Sequence, residues 1–233
     1  MEPLAEDWDR AVAVVAHPDD LEYGTAAAVA RWTGQGRQVS YLLATRGEAG
    51  IAGMAPGTAG PLREEEERGA AAVGVSEVVF LDHADGLVEY GVPLRRDLAA
   101  AFRRLRPDVV ITMSFDLTWG DEGPVNHADH RAVGLAVLDA CRDAANEWVF
   151  PEAGTRWPGI RHVYVGGSGR PTHVTDVTAT IDAGITSLRA HRAYLDGLGG
   201  DFDADKFLRD AASATGVAVG CEYAVSFRHY PAG

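Results

Sequence analysis

Five small or branched apolar residues, Val12 to Ala16, run without interruption into His17-Pro18-Asp19-Asp20. No polar residue alternates within the run, so the strand it forms is covered on both faces. That is the condition of a parallel sheet held between two helix layers. Proline cannot donate to a sheet ladder, so the strand ends at or before Pro18. His17, Asp19 and Asp20 then lie just past a strand's carboxyl end, the edge where open α/β sheets bind ligands.

The alternation continues along the chain. An Ala-rich helix over 23–33 is ended by Gly34-Gln35-Gly36, and 38–44 is a second strand. Thr45 to Gly50 forms a turn at that strand's end, and the Gly/Pro-rich 51–61 reads as a mobile loop. A helix over 63–73 carries four successive glutamates, Glu64 to Glu67, read as a solvated face. A third strand, 77–81, leads into the loop Asp82 to Gly86. A helix over 94–105, with Arg103, Arg104 and Arg106 on a solvated face, precedes a fourth strand, 108–113. After the loop 114–125, Asn126 is expected to cap the helix that opens with His127 to His130. Strands at 163–165 and 173–177, a helix from Thr178 to about Leu195, a helix over 203–214 and a strand at 222–227 complete the chain. This order implies parallel strands joined by right-handed crossovers, with helices on both faces. With no repeat or linker, residues 1–233 are expected to form one domain. The loops after the first four strands then share one sheet edge.

Charge narrows the partners. The formal net charge is −13 and the one lysine is Lys206, which argues against nucleic acid or an anionic membrane surface. No run is long enough to cross a bilayer, and the acidic Met1 to Arg10 lacks the apolar core of a secretory signal. Cys141 and Cys221 read as reduced, buried thiols, so a cytoplasmic location is expected. A small neutral substrate suits this surface. Nothing in the pattern bears on oligomeric state.

The chemistry gathers in two short motifs. His17 and Asp20 are three apart on a turn, and His127 and His130 are three apart at a helix start, on one face. A His/Asp/His set with an open fourth position suits catalytic zinc, which lowers the pKa of a bound water toward about 7. Asp19 diverges from its neighbour Asp20 and is left to act as a general base; its plainer reading is a helix cap. Of His127 and His130, one can ligate while the other stays free to stabilise an oxyanion or protonate an amine. Asp129 can orient an imidazole, or simply favour the helix dipole. There is no Gly-x-Ser-x-Gly elbow, Walker loop or Gly-x-Gly-x-x-Gly turn to support a competing chemistry.

Ala16-His17-Pro18-Asp19-Asp20 together with His127-Ala128-Asp129-His130 resembles the PIG-L/LmbE-like family of zinc-dependent N-acetylglucosaminyl deacetylases. Weaker blocks follow in the same order: Thr45 to Glu48, Arg63 to Glu67, Asp85-Gly86, Pro107 to Ile111, and Ala190-His191. The resemblance implies a Rossmann-like three-layer α/β sandwich around a mostly parallel sheet. It implies zinc on His17, Asp20 and His130, although these ligands also accept another divalent metal such as Fe2+. It further implies Asp19 as general base, a protonated His127 facing the oxyanion or the amine, and Asp129 as orienting partner. Glu48, Arg63 and Asp85 match positions lining the sugar pocket; alone they read as a turn acid, a solvated helix start and a turn acid. The implied reaction is hydrolysis of an N-acetyl group on a small amino sugar. Hydrolysis of another N-acyl amide, or a non-catalytic metal- or sugar-binding module, are the rival readings. Two departures stand out. The family's His-Pro-Asp-His reads His-Ala-Asp-His, and its His-x-Ser-Gln reads His191-Arg192-Ala193-Tyr194, which leaves His191 without its polar companions.

Overall fold

The computed structural model describes residues 1–75, 77–120, 123–199 and 202–232. In chain order the elements are β1 (Glu2–Pro3), β2 (Arg10–Val15), α1 (Ala26–Gly34), β3 (Gln38–Leu43), α2 (Pro56–Ala70), β4 (Glu77–Phe80), α3 (Val92–Leu105) and β5 (Val109–Met113), then α4 (Ala128–Ala145), β6 (His162–Gly166), β7 (His173–Asp176), α5 (Ile181–Ala190), α6 (Arg192–Leu198), α7 (Ala204–Val219) and β8 (Ala224–Pro231). The strands form one sheet in the order β1-β7-β8-β6-β5-β2-β3-β4. β8 runs antiparallel to β6 and β7, and every other pair is parallel.

The two-sided burial expected of the first strand is seen in β2. Alternate side chains of a strand point to opposite faces. Ala11, Ala13 and Val15 join a core with Trp32 of α1, Ile185 of α5 and Leu208 of α7. Val12, Val14 and Ala16 join a core on the other face with Leu98 and Phe102 of α3 and Val133 and Val137 of α4. Leu94, Leu98 and Phe102 recur every four residues and so line one side of α3. Burying each such side chain is worth roughly 1.5–3 kcal/mol. The result is the three-layer α/β sandwich. β2, β3 and β4 are laid down in one direction and β5 and β6 in the other, so the winding reverses between β2 and β5. That reversal opens a crevice at the carboxyl ends of β2 and β5.

Several local expectations need correction. Helix α2 begins at Pro56, inside the stretch expected to be a loop. Pro56 sits in its first turn, where a missing N–H costs nothing. Pro61 lies within the helix and is exposed, while Ala59 and Gly60 beside it are buried; packing overrides the breaker signals. The first helix starts at Ala26, because 18–25 is a series of turns. The helix expected over 178–195 is two helices broken at His191. Arg103 is buried, because its guanidinium collects the carbonyls of Asp143 and Ala144 in the last turn of α4 and of Asn146, Val149 and Phe150 beyond it. Glu67 is buried as well, so the glutamate run is not wholly a solvated face. Both cysteines are free; Cys141 is buried but Cys221 only half so. Among the described residues no helix is long and apolar enough to cross a membrane.

Candidate active site

The turn after β2 is folded by Asp20, whose Oδ2 accepts the N–H groups of Ala16 (3.1 Å) and His17 (2.8 Å). Its Oδ1 lies 3.1 Å from His130 Nε2. His17 Nδ1 lies 3.2 Å from the same His130 nitrogen and 3.5 Å from Asp20 Oδ2. The crevice between β2 and β5 thus brings His17, Asp20 and His130 together, with their ligand atoms within 4.8 Å of one another.

The outer partners of the two imidazoles decide where their lone pairs point. His17 Nε2 stands 3.1 Å from both Asp85 Oδ1 and Asp129 Oδ2, so this nitrogen carries a proton. His130 Nδ1 bonds Asn126 Oδ1 at 2.9 Å. Asn126 is fixed by donating its amide to the carbonyls of Ser114 (2.8 Å) and Asp116 (3.1 Å), so its oxygen faces His130 and takes that ring's N–H. Nδ1 of His17 and Nε2 of His130 are then left facing Asp20. Two imidazole nitrogens and a carboxylate around one point call for a positive charge among them, so this donor set fits a divalent cation. The same field acts on protons. Burial disfavours charge on His17, but the Asp20 carboxylate and the hydrogen bonds to Asp129, Asp20 and Asp85 hold its pKa well above the usual imidazole range. Burial would raise Asp20, yet His130 and His17 hold it far below the carboxylate range.

Asn126 is not the N-cap expected of it. His127 occupies that position, and Asn126 Oδ1 accepts its N–H at 2.8 Å. The His127 ring is exposed at the cavity and stacks on His130, with centroids 4.8 Å apart. Burial, then His130 and His17, shift it toward the neutral form. Asp129 accepts from Gly86 N (2.7 Å) and Val88 N (3.1 Å), tying the loop after β4 to α4.

Asp19 has φ +90°, left-handed backbone that a non-glycine residue adopts at a cost of about 1–3 kcal/mol. Its Oδ1 accepts from Arg63 Nη2 at 2.8 Å. Its Oδ2 is buried without a hydrogen-bond partner among the described residues, and the residue lines the cavity. Burial pushes this carboxyl well up, against the lowering effect of Arg63.

Arg63 is 1% exposed, so the solvated reading of it is wrong. Its guanidinium also donates to the Pro18 carbonyl and lies 4.2 Å over the Tyr194 ring. It occupies a slot lined by Gly47 and Gly50; a Cβ on Gly50 would stand 2.2 Å from Nη1. Asp85 lines the cavity, whereas Glu48 stands behind it and accepts the Asp85 N–H at 2.9 Å.

A second buried cluster went unseen in the sequence. Glu22, Glu67 and His191 meet behind Asp19. Ser187 Oγ donates to Glu22 Oε1 at 2.9 Å, and burial pushes Glu22 up to about 7. Burial and then Glu22 raise Glu67 as well. The available signal was the four-residue spacing of Arg63 and Glu67, which puts both on one helix face; the surrounding glutamates hid it. The cavity measures about 610 Å³ and has aromatic walls from Tyr23, Trp119, Tyr194 and Phe207.

A His/Asp/His donor set beside a carboxylate with one oxygen left bare, at the reversal point of a parallel sheet, has the parts of a metal-assisted hydrolase. The chain belongs to the PIG-L family: residues 12–141 match its profile, described as GlcNAc-PI de-N-acetylase. Over 97% of its length the chain is 27% identical to the diacetylchitobiose deacetylase of Thermococcus kodakarensis, covering 84% of that protein. It is 32% identical to the 1D-myo-inositol 2-acetamido-2-deoxy-alpha-D-glucopyranoside deacetylase of Kineococcus radiotolerans, covering 78% of this chain and 68% of that one. The fold superposes on N,N'-diacetylchitobiose deacetylase from Pyrococcus horikoshii with a TM-score of 0.86 at 22% identity, covering 97% and 85% of the two chains.

Proposed function

We propose that this protein is a metal-dependent deacetylase that hydrolyses the N-acetyl group of an N-acetylglucosamine-type sugar or glycoconjugate. The observation that carries the reading is the unpartnered Oδ2 of Asp19 beside the inward-facing His17, Asp20 and His130. Zinc, or another divalent ion such as Fe2+, held by those three residues supplies Lewis acidity and lowers the pKa of water.

The chain's own groups do the rest. Asp19 Oδ2 takes the proton of the attacking water while Oδ1 stays on Arg63. His127 donates a hydrogen bond to the oxyanion that forms on the substrate carbonyl. The sequence pointed to a protonated imidazole in this role. Burial and the neighbouring His130 and His17 shift His127 toward its neutral form, which still has an N–H to donate. Asp19, once protonated, passes the proton to the departing amine. Asp129 holds His17 through Nε2. Asp85 meets the sugar directly, while Glu48 orders the loop that carries it.

The test is acetate release by zinc-loaded protein from a panel of N-acetylglucosamine conjugates, with Asp19→Asn as control. A variant that retains zinc and turns over at the wild-type rate would remove Asp19 from the mechanism. A second reading, hydrolysis of a larger N-acyl amide, draws on the aromatic walls of a cavity of about 610 Å³, room enough for an apolar acyl chain. Turnover of longer acyl amides with none of the acetamido sugars would favour it.

A further inference from the structure

A left-handed aspartate persists only where its surroundings over-determine it. Two grips on Asp19 come from one helix. Arg63 holds the carboxylate, and Glu67, four residues on along α2, accepts the Asp19 backbone N–H through Oε2 at 3.3 Å. Arg63 borders the cavity; Glu67 is 1% exposed and does not. Behind Glu67 lies His191, 0% exposed, at the break between α5 and α6. Its Nε2 is 3.5 Å from Glu67 Oε2, and neither ring nitrogen has a hydrogen-bond partner among the described residues. A buried imidazole must place its N–H somewhere, and the Glu67 carboxylate is the acceptor within reach.

We propose that Glu67 and His191 are positioning residues for the base. Glu67 anchors the Asp19 peptide in its left-handed conformation, and His191 pins Glu67 from behind, so Oδ2 stays bare at the cavity wall. The break at His191 is then a working feature of the fold, since it delivers an imidazole from between two helices to the rear of the site. The proposal rests on the reading of Asp19 as the base.

Glu67→Ala, with its metal retained, is expected to lose about 10- to 100-fold in kcat, a part of the 10²–10⁴ that a placed base contributes, at nearly unchanged KM. Glu67→Gln keeps an acceptor oxygen and should recover most of that rate. His191→Gln, which still presents an N–H, should outperform His191→Phe, which fills the volume but cannot donate. If His191→Phe is the more active, His191 is packing and the proposal falls. It falls equally if Glu67→Ala keeps the wild-type kcat. Crystal structures of the same variants give a readout independent of substrate. Asp19 is expected to leave the left-handed region in Glu67→Ala; Asp19 unmoved, with φ near +90° and Oδ1 on Arg63, would overturn the proposal. Wild-type protein inactive on every acetamido sugar would instead sink the proposed function, and the variant structures would still judge the positioning.

Discussion

Replacing Arg63 separates two accounts of one residue. The family resemblance implies a sugar-binding arginine, whereas the structure shows a buried guanidinium holding the carboxylate of Asp19. Arg63→Met conserves volume and removes the charge. Breaking a buried pair by deleting one partner costs about 3–5 kcal/mol, and the lost contact with the Tyr194 face, 4.2 Å away, adds up to about 2. A loss of roughly 5 kcal/mol approaches the whole stability of many domains. For a chain of this size it corresponds to a Tm lower by about 10–20 °C. Catalysis should fall further than stability suggests. Burial already pushes Asp19 up and Arg63 opposes it; without the arginine it rises further, and the charged form that takes up a proton is less favoured. A fall in kcat of about 10²-fold or more is expected below the new Tm, with metal content unchanged. Arg63→Lys should recover part of the Tm but little of kcat, because both bonds, to the Pro18 carbonyl and to Asp19 Oδ1, come from Nη2 at the far end of a longer side chain whose planar group also lies over Tyr194. Thermal denaturation, metal analysis and steady-state kinetics measure all three quantities. A raised KM with kcat unchanged would show that Arg63 binds the sugar and does not serve the base.

His191 gives a pH test. Its imidazole is pushed down to about 3 from 6.5, by burial and then by Arg63. As pH falls the unfolded chain binds the proton first, so stability present above about 6.5 is lost toward 3, at up to about 1.4 kcal/mol per pH unit. His191→Phe removes this titration, so its unfolding free energy should fall less between pH 6.5 and about 4 than that of wild type; an equal or steeper fall contradicts the shift. Gly50→Ala drives a methyl into Arg63 and should cost about 1–3 kcal/mol and at least about tenfold in kcat; wild-type kinetics would show that the slot yields. His127→Ala should lose about 10²–10³ in kcat while keeping its metal, whereas His130→Ala should lose the metal. Metal loss from the His127 variant would make it a ligand.

What could be read ahead of the structure follows a physical division. The buried run of β2 and the Ile111 run of β5 carry their parallel, two-sided packing in composition alone, because a strand covered on both faces has no polar residues to alternate. That His17 and Asp20 share an edge with His127 and His130 was legible because both pairs sit on short motifs at strand ends, and parallel topology aims strand ends at one edge; the choice of His130 over His127 as ligand came from the family resemblance. The start of α2 was not, because Pro56, Gly57, Gly60 and Pro61 carry loop signals that packing overrules. Glu67 was masked by three neighbouring glutamates, and burial depends on which helix face meets the sheet. His191 meets Glu67 from 124 residues away, and the left-handed turn at Asp19 is held by Arg63 and Glu67 from 44 and 48 residues away; no local pattern exists for such contacts.

In the proposed function Asp19, beside a cation held by His17, Asp20 and His130, activates water for amide hydrolysis on an acetylated amino sugar. Its most direct test is a quantitative assay of acetate release by wild-type and Asp19→Asn proteins of verified equal zinc content. Wild type is expected to release stoichiometric acetate and free amine from at least one N-acetylglucosamine conjugate, and the variant to lose about 10²-fold or more of that rate. Equal rates from the two proteins, or no acetate from any conjugate, would contradict it.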